Sequence, residues 1–176
     1  MPLVRYATGG YICASPFPYD GIFRRAVLNF KFHNCGAYAE LLSHEMVRSI
    51  KDVYRDREFD LVTCVPMHKD TLRERGYNQA ELLAKECARL LGIEYADLLV
   101  KTKKNKTQHS IKAAERAKNV IGVYSPIDKN LIKGKRILII DDIITTGSTL
   151  GECARILNKC KCGEICCCTL CTSLLI

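Results

Sequence analysis

Four short apolar runs punctuate the chain: FDLVTCV at 59–65, LLVKT at 98–102, KRILIID at 135–141 and EICCCTL at 164–170. Runs this short, bounded by turn-forming or charged residues and rich in β-branched side chains, predict buried strands. Between the first two, YNQAELLAKECARLLG places Leu82, Leu83, Cys87, Leu90 and Leu91 at helical spacing, and Gly92 marks the helix end. A second stripe, Leu150, Cys153, Ala154, Ile156 and Leu157, predicts a helix after Gly147. Earlier, GIFRRAVLNFKF and AYAELLSHEMVRSIKDVYR read as amphipathic helices, with Leu41, Leu42, Met46 and Ile50 on one face of the second. Strands alternating with helices predict an α/β fold with a mostly parallel central sheet flanked by helices. Residues 1–55 are expected to form an N-terminal helical segment and 56–176 the core of a single domain 1–176.

At 176 residues the chain is long enough for one well-filled core and short for two. No apolar run approaches the ~18 residues of a membrane span. The opening MPLVRYATGGYICASPFPYD lacks the basic, apolar and small-residue regions of a secretory leader, so the cytoplasm is the expected location. Eleven cysteines, an odd number in a chain this long, fit free thiols in a reducing compartment better than a disulfide scaffold. A formal net charge of +8 points to anionic partners, either nucleic acid or a highly phosphorylated small molecule. The basic run KTKKNK at 101–106 has no aromatic side chain on which bases could stack, and it reads equally as a solvated loop. The stretch 102–110 lacks periodicity and is expected to be a mobile loop.

Candidate chemistry concentrates in ILIIDDIITTGST, residues 137–149. In an open α/β sheet ligands bind beyond the carboxyl ends of strands, where Asp141 and Asp142 are expected. Two adjacent carboxylates there can accept hydrogen bonds from sugar hydroxyls or support a hydrated divalent cation. Thr145, Thr146, Gly147, Ser148 and Thr149 then supply hydroxyls and a turn into a helix N-terminus, which together make a phosphate cradle. A phosphorylated sugar satisfies both halves. The plainer alternative makes Ser148 or Thr149 an ordinary helix cap and the acids part of a turn. No GxxxxGK[ST] segment is present, so this is not a P-loop.

The run from Ile137 to Thr149 resembles the signature of type I phosphoribosyltransferases, which bind phosphoribosyl pyrophosphate with Mg²⁺. The resemblance implies that Asp141 and Asp142 hold the ribose hydroxyls, with Mg²⁺ nearby, and that Thr145 to Thr149 hold the 5′-phosphate. VPMHKDTLRERGYNQAELLA (65–84) and KTKKNKTQHSIKAAERAKNVIGVY (101–124) resemble the ComF and GntX branch of that superfamily, with its VPxH, RGxNQ and Q…ER…N patterns. Members of that branch commonly begin with a paired-cysteine zinc ribbon. Only Cys13 and Cys35 precede the core here, so that module is expected to be missing.

Against this resemblance, Arg73 and Arg75 either hold the pyrophosphate or are surface helix charges. A cis or strained peptide at Pro66 is one way to turn backbone N–H groups toward the pyrophosphate. Lys101, Lys103 and Lys104 are candidates to close over the pyrophosphate. Gln108, Arg116 and Asn119 match the branch pattern, and either touch ligand or order the loop. His68 follows the strand end near the expected pyrophosphate or base, whereas His33, His44 and His109 have no constellation around them. In CKCGEICCCTLC, strand register sends Cys166 and Cys168 to one side and Cys167 to the other, as small apolar residues rather than metal ligands.

Two functions are therefore expected to compete. The first is a Mg²⁺-dependent transfer of phosphoribosyl to a nitrogen acceptor, a nucleobase or amine, with release of pyrophosphate. The second is a non-catalytic competence or DNA-uptake accessory that keeps the phosphoribosyl pyrophosphate site and binds single-stranded DNA. Enzymes of this type often form homodimers.

Overall fold

A computed structural model describes residues 1–32, 36–103 and 120–173. The chain opens with a hairpin of β1 (Leu3–Ala7) and β2 (Tyr11–Ser15), then β3 (Phe17–Pro18), α1 (Gly21–Phe32) and α2 (Gly36–Val53). Next come β4 (Leu61–Cys64), α3 (Lys69–Arg75), α4 (Gln79–Leu91), β5 (Glu94–Tyr95) and β6 (Leu99–Lys101). The second half holds β7 (Tyr124–Pro126), α5 (Lys129–Ile132), β8 (Arg136–Ile144), α6 (Ser148–Lys159) and β9 (Glu164–Thr172).

Among the described residues the main sheet runs β1-β2-β9-β8-β4-β5, with β3 also paired to β9. Every pairing in it is parallel except β1 with β2. The period-two alternation of strands splits β8 and β9 between two cores. Leu138, Ile140, Cys166 and Cys168 pack with Phe30, Met46, Leu83 and Cys87 from α1, α2 and α4. Ile137, Ile139, Ile165 and Cys167 pack with Leu150, Cys153 and Leu157 of α6. The cysteine alternation is the one the register predicts. Burial pushes the Cys167 and Cys168 thiols well above their ordinary values, which keeps them protonated and inert.

Three expectations change. The segment 1–55 is not wholly helical: a hairpin precedes the helices, closed by Gly9 (φ 94°) and Gly10 (φ 84°). Gly-Gly is a turn signal, but the strands it joins use Cys13, Ala14 and Ser15, small residues without a strand-like apolar pattern. The run 98–102 contributes β6, which lies outside the parallel sheet and pairs antiparallel with β7 as a separate ribbon. The strand that follows α4 into the main sheet is the two-residue β5, beside β4. Finally, Leu41 is 66% exposed, while Ser43, Met46, Val47 and Ile50 form the buried face of α2. No helix among the described residues is long and apolar enough to cross a membrane.

Candidate active site

The carboxyl ends of β4 and β8 lie side by side, with Cys64 in register with Ile140 and the Val65 N–H donating to Ile140 O at 2.9 Å. A cleft of about 260 Å³ opens there. From β8 and α6 it takes Asp141, Asp142 and Thr149; from the β4–α3 turn and α3, Pro66, His68, Thr71 and Arg75. The start of α4 adds Asn78 and Gln79, and the β6–β7 ribbon adds Lys101 and Tyr124.

The acids are half-buried, and the strand continues two residues beyond them to Ile144. Asp141 Oδ1 accepts the Asp142 N–H at 2.9 Å. Thr145 and Thr146 are exposed, whereas Gly147 and Ser148 are buried. The N-cap of α6 is Gly147 (φ 73°), not Ser148 or Thr149, and it offers no side-chain hydrogen bond to the first turn. Residues 143 to 150 with Asp141 instead surround a small cup of about 30 Å³ at that helix N-terminus. Backbone N–H groups at such an end suit an anion.

Glycine at 147 is required twice over. A Cβ would stand 2.6 Å from Ala7 Cα, and the left-handed backbone disfavours other residues. Gly151, one turn on, meets the same hairpin, where a Cβ would lie 2.3 Å from Thr8 O. Thr8 N donates to Gly147 O at 3.2 Å. The N-terminal hairpin thus braces this cup.

The opposite wall is held by side-chain clamps. Asn78, buried, caps α4 through Oδ1 to the Ala80 N–H at 3.1 Å, while its Nδ2 donates to Val65 O at 3.1 Å. One amide therefore fixes both the helix start and the strand end. Gly76 closes α3 in the left-handed conformation (φ 83°), and the Tyr77 hydroxyl donates to Phe30 O. Gly76, Tyr77 and Asn78 of the motif thus serve the fold, while Arg75 lines the cleft. Glu152 of α6, buried, accepts the Gly122 N–H at 2.9 Å and pairs with Arg155, anchoring the chain that enters β7.

Lys101 sits in the cleft with its Nζ 5.6 Å from the centroid of Tyr124. Burial lowers its ammonium from the ordinary lysine value, with Cys153 and Asp141 acting the other way. Its place on the β6–β7 ribbon makes it a fixed cation of the wall. Arg75 lines the cleft, while Arg73 and Lys103 are exposed and are not among its lining residues. Lys104, Gln108, His109, Arg116 and Asn119 lie outside the described residues, as do His33 and Cys35. No cis peptide bond occurs among the described residues, so the Pro66 bond is trans.

Thr71, Gln79 and Tyr124 were not expected at the site. Thr71 had a signal: it precedes Arg75 by four residues, hence one helical face. Tyr124 had none, because its place follows from pairing opposite Lys101 across the ribbon.

The sequence profile of the phosphoribosyl transferase domain matches residues 78–174. The chain belongs to that family. Competence protein F of Haemophilus influenzae is 33% identical over 144 residues, covering 79% of this chain and 63% of that protein. Competence protein ComFC of Bacillus subtilis is 31% identical over 152 residues, 86% of this chain and 60% of the relative. A DNA utilization protein of Escherichia coli, YhgH, is 30% identical over 101 residues, 57% of this chain and 44% of its own length. These matches put the chain in the ComF branch, and it spans about three fifths of the length of the two competence proteins. The fold is shared with a glutamine phosphoribosylpyrophosphate amidotransferase of Bacillus subtilis solved with ADP and GMP. That likeness has a TM-score of 0.54 at 18% identity and covers 80% of this chain and 30% of the other.

Proposed function

We propose that the cleft binds phosphoribosyl pyrophosphate with Mg²⁺ and that the protein transfers the phosphoribosyl group to a nitrogen acceptor, a nucleobase or amine. The observation that carries this reading is the adjacency of the two acids at the end of β8 to the glycine-capped cup at the start of α6. Asp141 and Asp142 hold the ribose hydroxyls, Thr145 to Thr149 take the 5′-phosphate, and Arg75 and Lys101 face the pyrophosphate. No group of three or more acidic, His or Cys ligands occurs among the described residues. Two carboxylates fit a cation that Mg²⁺ chemistry completes with substrate oxygens and water. Bound there, Mg²⁺ would neutralise charge on the pyrophosphate. The side chains position the sugar and stabilise the leaving group's charge.

The test is calorimetry with phosphoribosyl pyrophosphate, with and without Mg²⁺, followed by a screen of nucleobases and amines for pyrophosphate release. Saturable binding with release for one acceptor supports transfer; no binding by folded protein refutes it. A second reading is favoured by the competence and DNA-utilization names of the relatives: an accessory in DNA handling that keeps the site without turnover. It predicts binding to single-stranded DNA that falls steeply with salt and survives Asp141→Asn.

A further inference from the structure

A second groove, of about 450 Å³, opens at the opposite end of the parallel strands, beside the C-terminal ends of α2 and α4. β8 runs from Arg136 at this groove to Asp141 at the cleft, roughly 16 Å of extended chain, and the two share no lining residue.

The floor of the groove is apolar. Ile50 and Tyr54 are buried there, and Phe59, Leu91 and Ile93 are half-buried. The Tyr54 and Phe59 rings meet edge to face, with centroids 5.9 Å apart. The Tyr54 hydroxyl is engaged inside the fold, donating to Ile12 O and Cys167 O, so its ring offers the groove only hydrocarbon.

The rim is cationic, with Lys51, Arg55, Arg57 and Arg136 against one acid, Glu58. These cations are of two kinds. Arg136 is held by Asp60 Oδ1 at 2.8 Å and Glu58 Oε2 at 2.9 Å, and Arg57 pairs with Glu164 while lying 5.8 Å from the Tyr54 centroid. Their charge is met and their planar groups are fixed, which suits them to stack against a flat ring. Lys51 and Arg55 are exposed, four residues apart at the end of α2, and hold no ion pair among the described residues. Cations at a helix end commonly do no more than complement its dipole. Here they also border an apolar groove, where an anion tethered to a ring would meet both features.

We propose that this groove binds a nucleoside phosphate, its base on the Phe59, Leu91 and Ile93 floor beside the fixed guanidinium groups and its phosphates on Lys51 and Arg55. A bare anion uses only the rim, and a neutral ring only the floor. The site stands independently of the reading of the cleft.

Because a nucleotide can also enter the cleft, the full chain is titrated both as wild type and as the Asp141→Asn/Asp142→Asn variant, without Mg²⁺. The probes are ADP, adenosine and inorganic pyrophosphate. Saturable ADP binding is expected in both proteins, with adenosine and pyrophosphate each weaker by about tenfold or more in the Asp141→Asn/Asp142→Asn variant. Adding Lys51→Glu and Arg55→Glu to that variant should weaken ADP binding by about tenfold or more and leave thermal unfolding within about 2 °C, since both side chains are exposed. The same charge reversal in the wild-type chain should leave ribose 5-phosphate affinity unchanged. Absence of ADP binding once the cleft acids are removed from a folded chain overturns the proposal. So does an ADP affinity that the charge reversal does not move. Pyrophosphate binding as tight as that of ADP overturns it too, by reducing the groove to an anion patch in which the floor takes no part.

Discussion

The two walls of the cleft are built by opposite strategies. The β8–α6 wall is one unbroken stretch of chain, with acids, hydroxyls and helix N-terminus following each other between 141 and 149. The facing wall gathers residues from the β4–α3 turn, the start of α4 and the β6–β7 ribbon. Covalent order positions the first wall. The second depends on clamps such as Asn78 to Val65 O and Glu152 to the Gly122 N–H. Damage to the first wall should therefore act on ligand and fold together, and damage to the second should be divisible into stability and pyrophosphate recognition.

The largest expected effect is that of Gly147→Ala. A left-handed residue costs about 1–3 kcal/mol when it is not glycine, and the added methyl group also meets Ala7 backbone at 2.6 Å. Denaturant unfolding should show that loss at least, with ribose 5-phosphate binding abolished. A variant of wild-type stability that still binds would break the claim that the hairpin braces the cup.

Asn78→Ala comes next. It removes a helix cap and a buried hydrogen bond, about 1–2 kcal/mol in all and roughly 2–8 °C in Tm. Pyrophosphate binding should weaken while ribose 5-phosphate binding holds. Equal weakening of both probes would show that the walls are not independent.

Lys101→Met sharpens the division further. Removing a desolvated ammonium should leave stability unchanged or raise it, while pyrophosphate affinity falls about tenfold. The sign with pH follows from the lowered lysine value. Between that folded value and the unfolded value near 10.4, the unfolded chain holds more protons, so wild-type stability rises with pH. Pyrophosphate binding weakens over the same window, and unfolding and titration series should show neither trend in the Met variant.

The smallest effect on ligand binding should come from Asp60→Asn, at the other end of β8. Hydrogen bonds from Arg136 hold the Asp60 carboxyl well below its ordinary range. Its contribution to stability is present above about pH 4 and is lost as pH falls through the folded value. The Asn variant should lose that part of the acid sensitivity and bind both probes as wild type does.

The same contrast explains what was legible in the sequence. The fold class, β8 and α6 could be read because apolar runs and helical stripes are local, and so could the first wall, because all its chemistry lies in one motif. Arg75 and Lys101 were named without a means of telling them from Arg73 and Lys103. Only the helical face of α3 and the ribbon pairing select between them. Leu41 was misplaced because it adjoins Leu42 yet points about 100° away around the helix, where the core does not reach. The hairpin escaped because its buried strand is made of Cys13, Ala14 and Ser15, which fill the narrow space beside β9 without showing apolar alternation.

The most direct test of the central claim is calorimetric titration of phosphoribosyl pyrophosphate, with and without Mg²⁺, into wild type and the Asp141→Asn/Asp142→Asn double variant, with unfolding measured alongside. The predicted result is Mg²⁺-dependent binding by wild type that disappears in a folded double variant. Unchanged affinity in that variant would contradict the assignment of the two acids to the ribose and its metal.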